Sequence, residues 1–451
     1  MTQGFSREVA GRYEELLEGK HLATTAKAMV EADRGMYIDT DEVPLRPVFL
    51  SPAVHEGVMR SATLVMRGLN AVADHLLSSA EARRRIRLTA AEERMVATDP
   101  RPGEIVGRLD GILDQQGEIR FVEYNTRPGS VVKHIRLSDT FTELPIFEEL
   151  GAQAQLKPTF GRSGFRFALE SLKSRFDLGP TPMLTAVGEP GDVTGSDVAP
   201  DALYIGQALD EAGFQAELVP FRELTCREGR LYRGDRIVRA AYVMNWHTFP
   251  DEVPFEHDFW GCVKSGELML LNSGAGQVLR AKKDVFAVLR DGSLRHLLDD
   301  DVAEAVERYI PWTHIVEERE VDFHGVRAGL RQLLYDNGPR MVLKPTSGYG
   351  GQGVVLGWAC TPDEWREHVD AAFEAPFVVQ ERVMLFKESF PWLVNGRPQR
   401  EDFYIDLNPF VWNTGRVEGC MARVSPTEIT NECSGGGAST AVFIAQELAA
   451  R

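Results

Sequence analysis

The stretch MVLKPTSGYGGQGVVLG, residues 341–357, decides how the rest of the chain is read. Two apolar runs, 341–344 and 354–357, flank a loop carrying Gly348, Gly350, Gly351 and Gly353. Apolar run, turn residues, apolar run predicts a β-hairpin. Glycines let backbone approach a bulky anion, and the exposed N–H groups of such a loop hold phosphate oxygens. Lys344 leaves the first strand where its ammonium reaches those oxygens. No GKS or GKT follows and a strand comes next, so this is not a P-loop. Nor does a GxGxxG open a helix, as a dinucleotide fold requires. Alone, the stretch fits a flexible glycine hairpin with a solvated lysine equally well, so its surroundings decide.

Downstream, FVVQERV (377–383) reads as an apolar strand ending in a polar, chain-bending stretch. Its backbone there offers donors and acceptors to a purine edge, and Glu381 is placed to accept from ribose hydroxyls. DFYIDLNPF (402–410) alternates as a strand, GCMARVS (419–425) forms another, and NECSGGGAS (431–439) is a second glycine loop. Near the front, RLDGILDQQGEIRFVEYNTRPGS (108–130) predicts strands at 109–113 and 120–124 joined by the turn DQQGE. Alternate strand residues share a face, so Arg108 points with Asp110, and Glu123 with Asn125. Two carboxylates and an amide oxygen suit a hard Mg²⁺ ion that keeps phosphate and water ligands. Arg108 then lies beside the metal and faces the terminal phosphate. Without the glycine loop, a solvent-facing charged hairpin explains the same residues.

The order of these motifs resembles the ATP-grasp superfamily. It is closest to the circularly permuted members and glutathionylspermidine synthetases, whose early segment carries an Arg-x-Asp strand and then a Glu-x-Asn strand. The resemblance covers most of the chain, motif by motif. It implies an α/β fold with α+β lobes, a permuted ATP-grasp, and a small parallel α/β domain ahead of the nucleotide lobes. The implied units are residues 1–150 (helices plus the metal-binding strands), 151–265 (the parallel unit) and 266–451 (the nucleotide lobes). Metal ligands would be Asp110, Glu123 and Asn125. Nucleotide contacts would be Lys283, Lys344, Ser347, Tyr349, Gly350 and Gly351, with Gln380, Glu381 and Val383 at the hinge. Lys282 competes with Lys283 for its role. Arg108 and Arg423 would act at the transferred phosphate. Residues 126–130 depart from the family pattern, which has an acidic or small residue and then proline after the Glu-x-Asn; here Arg127 intervenes, and with Ser130 it is expected to meet substrate, a guanidinium there either clamping a carboxylate or neutralising the acidic cluster.

The activity implied is phosphorylation of a carboxylate by ATP, then attack by an amine to give an amide bond. Such transfer needs mainly positioning and charge neutralisation. Two other readings stay open: a phosphotransferase without ligation, and a regulatory ATP-binding protein. The substrates expected are a small amino-acid-like carboxylate and an amine. Members of the family are often dimers, which makes a homodimer the expectation.

Global properties agree with a soluble enzyme. The 451 residues suffice for two or three packed units, and 43% hydrophobic with 26% charged residues is ordinary composition. A net charge of −17 argues against nucleic acid or an anionic membrane as partner. Five cysteines without CxxC spacing, and no signal-peptide core at the start, point to the cytoplasm. No run approaches ~20 apolar residues.

In chain order, 6–32 predicts one or two helices, 44–52 (PLRPVFLSP) an extended connector, and 55–77 a long amphipathic helix. His55 and His75 are assigned to its surface or edge. Residues 183–187, 202–213 and 215–219 read strand, helix, strand, a small parallel unit. Residues 190–200 form a linker, 229–235 a hairpin, and 238–245 a strand with His247 just beyond its end. Residues 268–272 predict a buried strand, 280–289 one helix, 299–301 a solvated helix start, and 310–313 an extended link.

Overall fold

In the computed structural model, one strand organises the molecule: Arg397–Trp412, sixteen residues long. The residues described are 6–33, 42–99, 102, 106–126, 129–159, 169–170, 173, 183–188, 210–211, 213–243, 249, 253–348, 351–412, 415–430 and 437–446. The first half of this strand, RPQRED, is exposed, and the second half, from Phe403, is mostly buried. The change follows its neighbours. Residues 397–404 pair antiparallel with Lys387–Val394. Beyond that point the strand is flanked by Arg416–Ser425 on one side and Val106–Leu113 on the other. Alternating YIDLNPFVW therefore lies inside a sheet, whereas the charged half forms a solvated ribbon. Among the described residues this sheet has seven strands.

Val106–Leu113 and Ile119–Asn125 form the front hairpin, with Arg108 opposite Asn125 and Asp110 opposite Glu123. Asp114 fixes its turn by accepting from the backbone N–H of Gln116 and Glu118, and Gly117 supplies the positive φ of 81° that the turn needs. The turn docks on the segment after Glu381. The Gln115 N–H donates to the Met384 carbonyl, Asp114 bridges Leu385, and the Phe386 N–H donates to Leu113.

A second sheet, antiparallel, runs Thr313–Ile315, Phe377–Glu381, Met341–Pro345, Val355–Leu356. The hairpin expected at 341–357 is present, with Val342 opposite Leu356. Helices Leu330–Asp336 and Pro362–Glu374 cover this sheet through Leu333, Leu334, Trp365 and Val369. Pro362–Glu374 begins with a Thr361/Glu364 capping box and proline at its first turn, the start signal its sequence carries.

The strands Met183–Gly188, Gln215–Pro220, Ala240–Val243 and Met269–Leu271 form a parallel sheet. A meander, Leu224–Arg227, Arg230–Arg233 and Arg236–Val238, lies within the same stretch of chain and contains the hairpin expected near 229–235. The helix expected at 55–77 is Pro52–Ser78, capped by Ser51; its Val58, Val65, Leu69 and Leu76 stripe joins the same core as Val285, Leu289 and Val306. Burying each such side chain contributes about 1.5–3 kcal/mol before conformational entropy is counted. Residues 7–33 form one helical run, Arg7–Leu16 and Leu22–Asp33 joined by a π-helical turn. Among the described residues, no helix is long and apolar enough to cross a membrane.

The single helix expected at 280–289 is instead two, Gly274–Arg280 and Lys283–Arg290, with Lys282 extended between them. Tertiary bonds to the glycine loop compete with the helix here. The Lys283 N–H donates to the Thr346 carbonyl, and Lys282 Nζ reaches Ser347 Oγ. Most of the helix at 202–213, the linker at 190–200, His247, and most of the loop at 431–439 lie outside the described residues.

Candidate functional site

The site is built on the front hairpin. Arg108 donates to both oxygens of Asp110, at 2.5 and 2.9 Å. The Asn125 amide lies between the two carboxylates, donating to Asp110 Oδ2 at 3.0 Å and to Glu123 Oε1 at 3.1 Å. Strand alternation puts all four side chains on one face, as their spacing requires. Asn272, after the last parallel strand, donates to the carbonyls of Val106 and Thr126 and so ties down the open end of the hairpin.

Two remote segments meet that face. Lys283 Nζ stands 3.4 Å from Glu123 Oε2 and 3.3 Å from the Gly348 carbonyl in the glycine loop. Lys344 donates to Gln380 Oε1 at 2.7 Å, and Gln380 donates to Thr313 Oγ1 at 3.0 Å. Lys282 points elsewhere: its ammonium sits between Glu92 (2.9 Å) and Ser347 Oγ (3.0 Å), almost fully buried. Residues 108–125 therefore lie against the glycine loop through Lys283, with the Lys344 ammonium near enough to act on Glu123. Glu381, at the strand end, accepts from His324 Nε2 (2.9 Å) and Arg340 (2.7 Å). Val383 follows it, where the chain turns to meet the hairpin. Tyr349, Gly350 and Arg127 lie outside the described residues; Ser130 falls in the first turn of the helix Gly129–Glu143.

Arg423 comes from the neighbouring strand and bridges Asp406 and Asp110. Its Nη2 lies 2.6 Å from Asp406 Oδ2 and 2.9 Å from Asp110 Oδ2. Asp406 and Asn408 escaped the sequence reading. Two polar residues on the site-facing side of a strand that packs between two others were the available signal, because such side chains are buried only with partners.

Electrostatics follow from this packing. Burial alone would raise the Glu123 pKa, but the Lys283 and Lys344 ammonium groups, Asn125 and Arg423 outweigh it and hold the carboxyl well below its usual range. Burial draws the Lys344 ammonium down to about 8, assisted by Lys283 and opposed by Glu123 and Asp110. Burial pushes the Asp406 carboxyl up, against the pull of Arg423. Among the described residues, four cations (Arg108, Lys283, Lys344, Arg423) surround three carboxylates (Asp110, Glu123, Asp406), an excess of one positive charge in a chain of net −17. Such a focus favours a polyanion. Among the described residues no group of three His, Cys, Asp or Glu side chains is placed to hold a metal. Asp110 and Glu123 are nonetheless hard oxygen donors of the kind magnesium takes, since that ion uses few protein ligands and completes its shell with phosphate and water; Asn125 turns its N–H edge to both carboxylates here, and its oxygen would reach an ion once the amide turns over. The residues present fit such an ion.

No family model matches the chain. An uncharacterised protein of Mycobacterium tuberculosis (strain H37Rv) is 23% identical over 363 residues, covering 76% of this chain and 61% of the relative. One from Mycobacterium leprae is 24% identical over 356 residues, covering 74% and 58%. The chain thus spans about three fifths of the length of the curated relatives it matches. Among solved structures, a glutathione synthetase-like effector of Globodera pallida in its apo form superposes with a TM-score of 0.61 at 12% identity, covering 96% of this chain and 97% of that one. At that identity the likeness shows a shared fold.

Proposed function

We propose that this chain is an ATP- and Mg²⁺-dependent carboxylate–amine ligase with a circularly permuted ATP-grasp fold, its parallel sheet forming the domain ahead of the nucleotide lobes. One observation carries the reading: the Asp110/Glu123/Asn125 face and the Lys344 strand, more than 200 residues apart in sequence, meet through Lys283 at a glycine loop. The shared fold with a glutathione synthetase-like protein supports it.

Asp110, Glu123 and Asn125 would hold the magnesium, which when bound neutralises phosphate charge. Lys283 and the loop around Ser347–Gly351 bind the phosphates, Lys344 and Gln380 the nucleotide, and the backbone at Glu381–Val383 the base. Arg108 and Arg423 stabilise charge on the transferred phosphoryl group. A carboxylate oxygen of the substrate attacks the γ-phosphorus and ADP leaves. The amine then attacks the acyl carbon and expels phosphate, leaving an amide. Arg127 and Ser130 are the proposed contacts of the carboxylate substrate, which is small and amino-acid-like.

Incubation with ATP, Mg²⁺ and pooled amino acids and amines, read by ADP release and product mass, tests this. The expected result is ADP release that requires an amine, with a condensed mass. A phosphorylated product formed without any amine would assign a phosphotransferase, and AMP with pyrophosphate would exclude an acyl phosphate.

A further inference from the structure

Asp406 and Asn408 sit two residues apart on the long strand, both fully buried, between the two strands that carry the cleft's functional groups. Asp406 accepts from two positions of one residue, the Arg423 backbone N–H (2.8 Å) and its Nε (2.8 Å), and forms an ion pair with its Nη2 at 2.6 Å. Thr430 Oγ1 (2.8 Å) and Asn408 Nδ2 (2.7 Å) donate to the same carboxylate. Asn408 then turns its amide oxygen to the other flank and accepts the Gly111 N–H at 3.2 Å. Gly111 is where the front hairpin slips register, directly after Asp110. A β-carbon there would crowd the Leu407 carbonyl oxygen at 2.7 Å, so the close approach requires glycine.

We propose that Asp406 and Asn408 are positioning residues for the reactive cleft: Asp406 fixes the Arg423 guanidinium, and Asn408 fixes the irregularity that aims Asp110. The proposal rests on the ligase reading for its kinetic consequences, but not for its geometry. A fully buried carboxylate is costly unless every oxygen is satisfied, and this one is satisfied almost wholly by groups whose placement matters to the site. Guanidinium orientation is set by its Nε edge, and that edge is spent on Asp406. Supporting residues of this kind hold active groups to within fractions of an ångström, and small misplacement costs rate rather than affinity.

The test uses the full chain and two readouts. Asp406→Asn and Arg423→Ala should each lower kcat for ADP release about 10- to 100-fold with KM for ATP little changed. The double variant should be no worse than Arg423→Ala, because Asp406 acts through Arg423. Independently of turnover, the ¹⁵N-resolved Nε–H resonance of Arg423, assigned by its loss in Arg423→Lys, should shift and exchange faster in Asp406→Asn. Thr430→Val, which removes one donor without removing charge, should move both readouts less and in the same direction, and serves if Asp406→Asn fails to fold. Multiplicative kinetic effects, or an unmoved Nε–H signal, would overturn the Asp406 assignment. For Asn408→Ala, Mn²⁺ affinity measured by electron paramagnetic resonance should fall about 10-fold; an unchanged affinity removes the Asn408 half. A wild-type chain that releases no ADP would instead reject the ligase reading, while the resonance and Mn²⁺ measurements still decide the positioning roles.

Discussion

Replacing Lys344 by methionine should make the protein more stable at neutral pH and inactive at the same time. Burial lowers the Lys344 ammonium from 10.5 to about 8. That gap, 10.5 less about 8, is worth about 3 kcal/mol. At pH 7 the folded chain carries this penalty and the unfolded chain does not. Between pH 8 and 10.5 the unfolded state binds the extra proton, so wild-type stability rises with pH through that window, by at most about 1.4 kcal/mol per pH unit. Methionine removes the charge and keeps the length, but leaves Gln380 Oε1 without its donor at a cost of about 1–2 kcal/mol. The net expectation is a variant about 1–2 kcal/mol more stable than wild type near pH 7, with the order reversed near pH 10. Urea midpoints followed by tryptophan fluorescence at both pH values measure this directly. Nucleotide-dependent turnover should be lost, a trade of stability against function. A stability difference that stays constant from pH 7 to pH 10 would refute the claim that Lys344 is held charged against its surroundings.

Other expectations follow from the same contacts. Lys282→Met breaks a buried pair with Glu92 and should destabilise by about 3 kcal/mol in a thermal melt, whereas Lys283→Met removes a longer, less buried contact to Glu123, should destabilise less, and should weaken nucleotide binding. Equal melts for the two would contradict the division of labour between the neighbouring lysines. Gly357→Ala should prevent the second sheet from packing under its two helices, since its β-carbon would land on the Gly338 carbonyl oxygen, a backbone atom that cannot yield; circular dichroism of the purified variant decides. Arg127→Ala should raise KM for the acidic substrate well above any change in KM for ATP, and an unchanged KM would discard Arg127 as the carboxylate clamp.

Much of this was legible because the signals were local. The alternation of Arg108, Asp110, Glu123 and Asn125 around a DQQGE turn specifies a hairpin and one shared face before any tertiary contact is known. The apolar runs around the glycines of 341–357 do the same for the second sheet. The break at Lys282 was not legible, because RAKKDVFAVL has helical spacing throughout; what interrupts it is Glu92 and Ser347, distant in sequence. Glu381 was legible as a strand end, but not as the acceptor of His324 and Arg340, which arrive from a hairpin and a turn elsewhere. Asp406 and Asn408 carried a local anomaly, polar side chains within YIDLNPF, whose meaning depends on strands supplied from both directions along the chain.

The pairing of Val106–Leu113 with Arg397–Trp412 also bears on biosynthesis. The front hairpin emerges from the ribosome well before the strand that completes its open edge, because Arg397–Trp412 lies far downstream of Val106–Leu113 in the chain. Until then an unpaired edge and half of an acidic constellation wait in solution. Contacts of such long sequence separation form slowly. A product that stops before Arg397 would therefore leave the edge of Val106–Leu113 unpaired and the Asp110 face without Asp406 and Arg423.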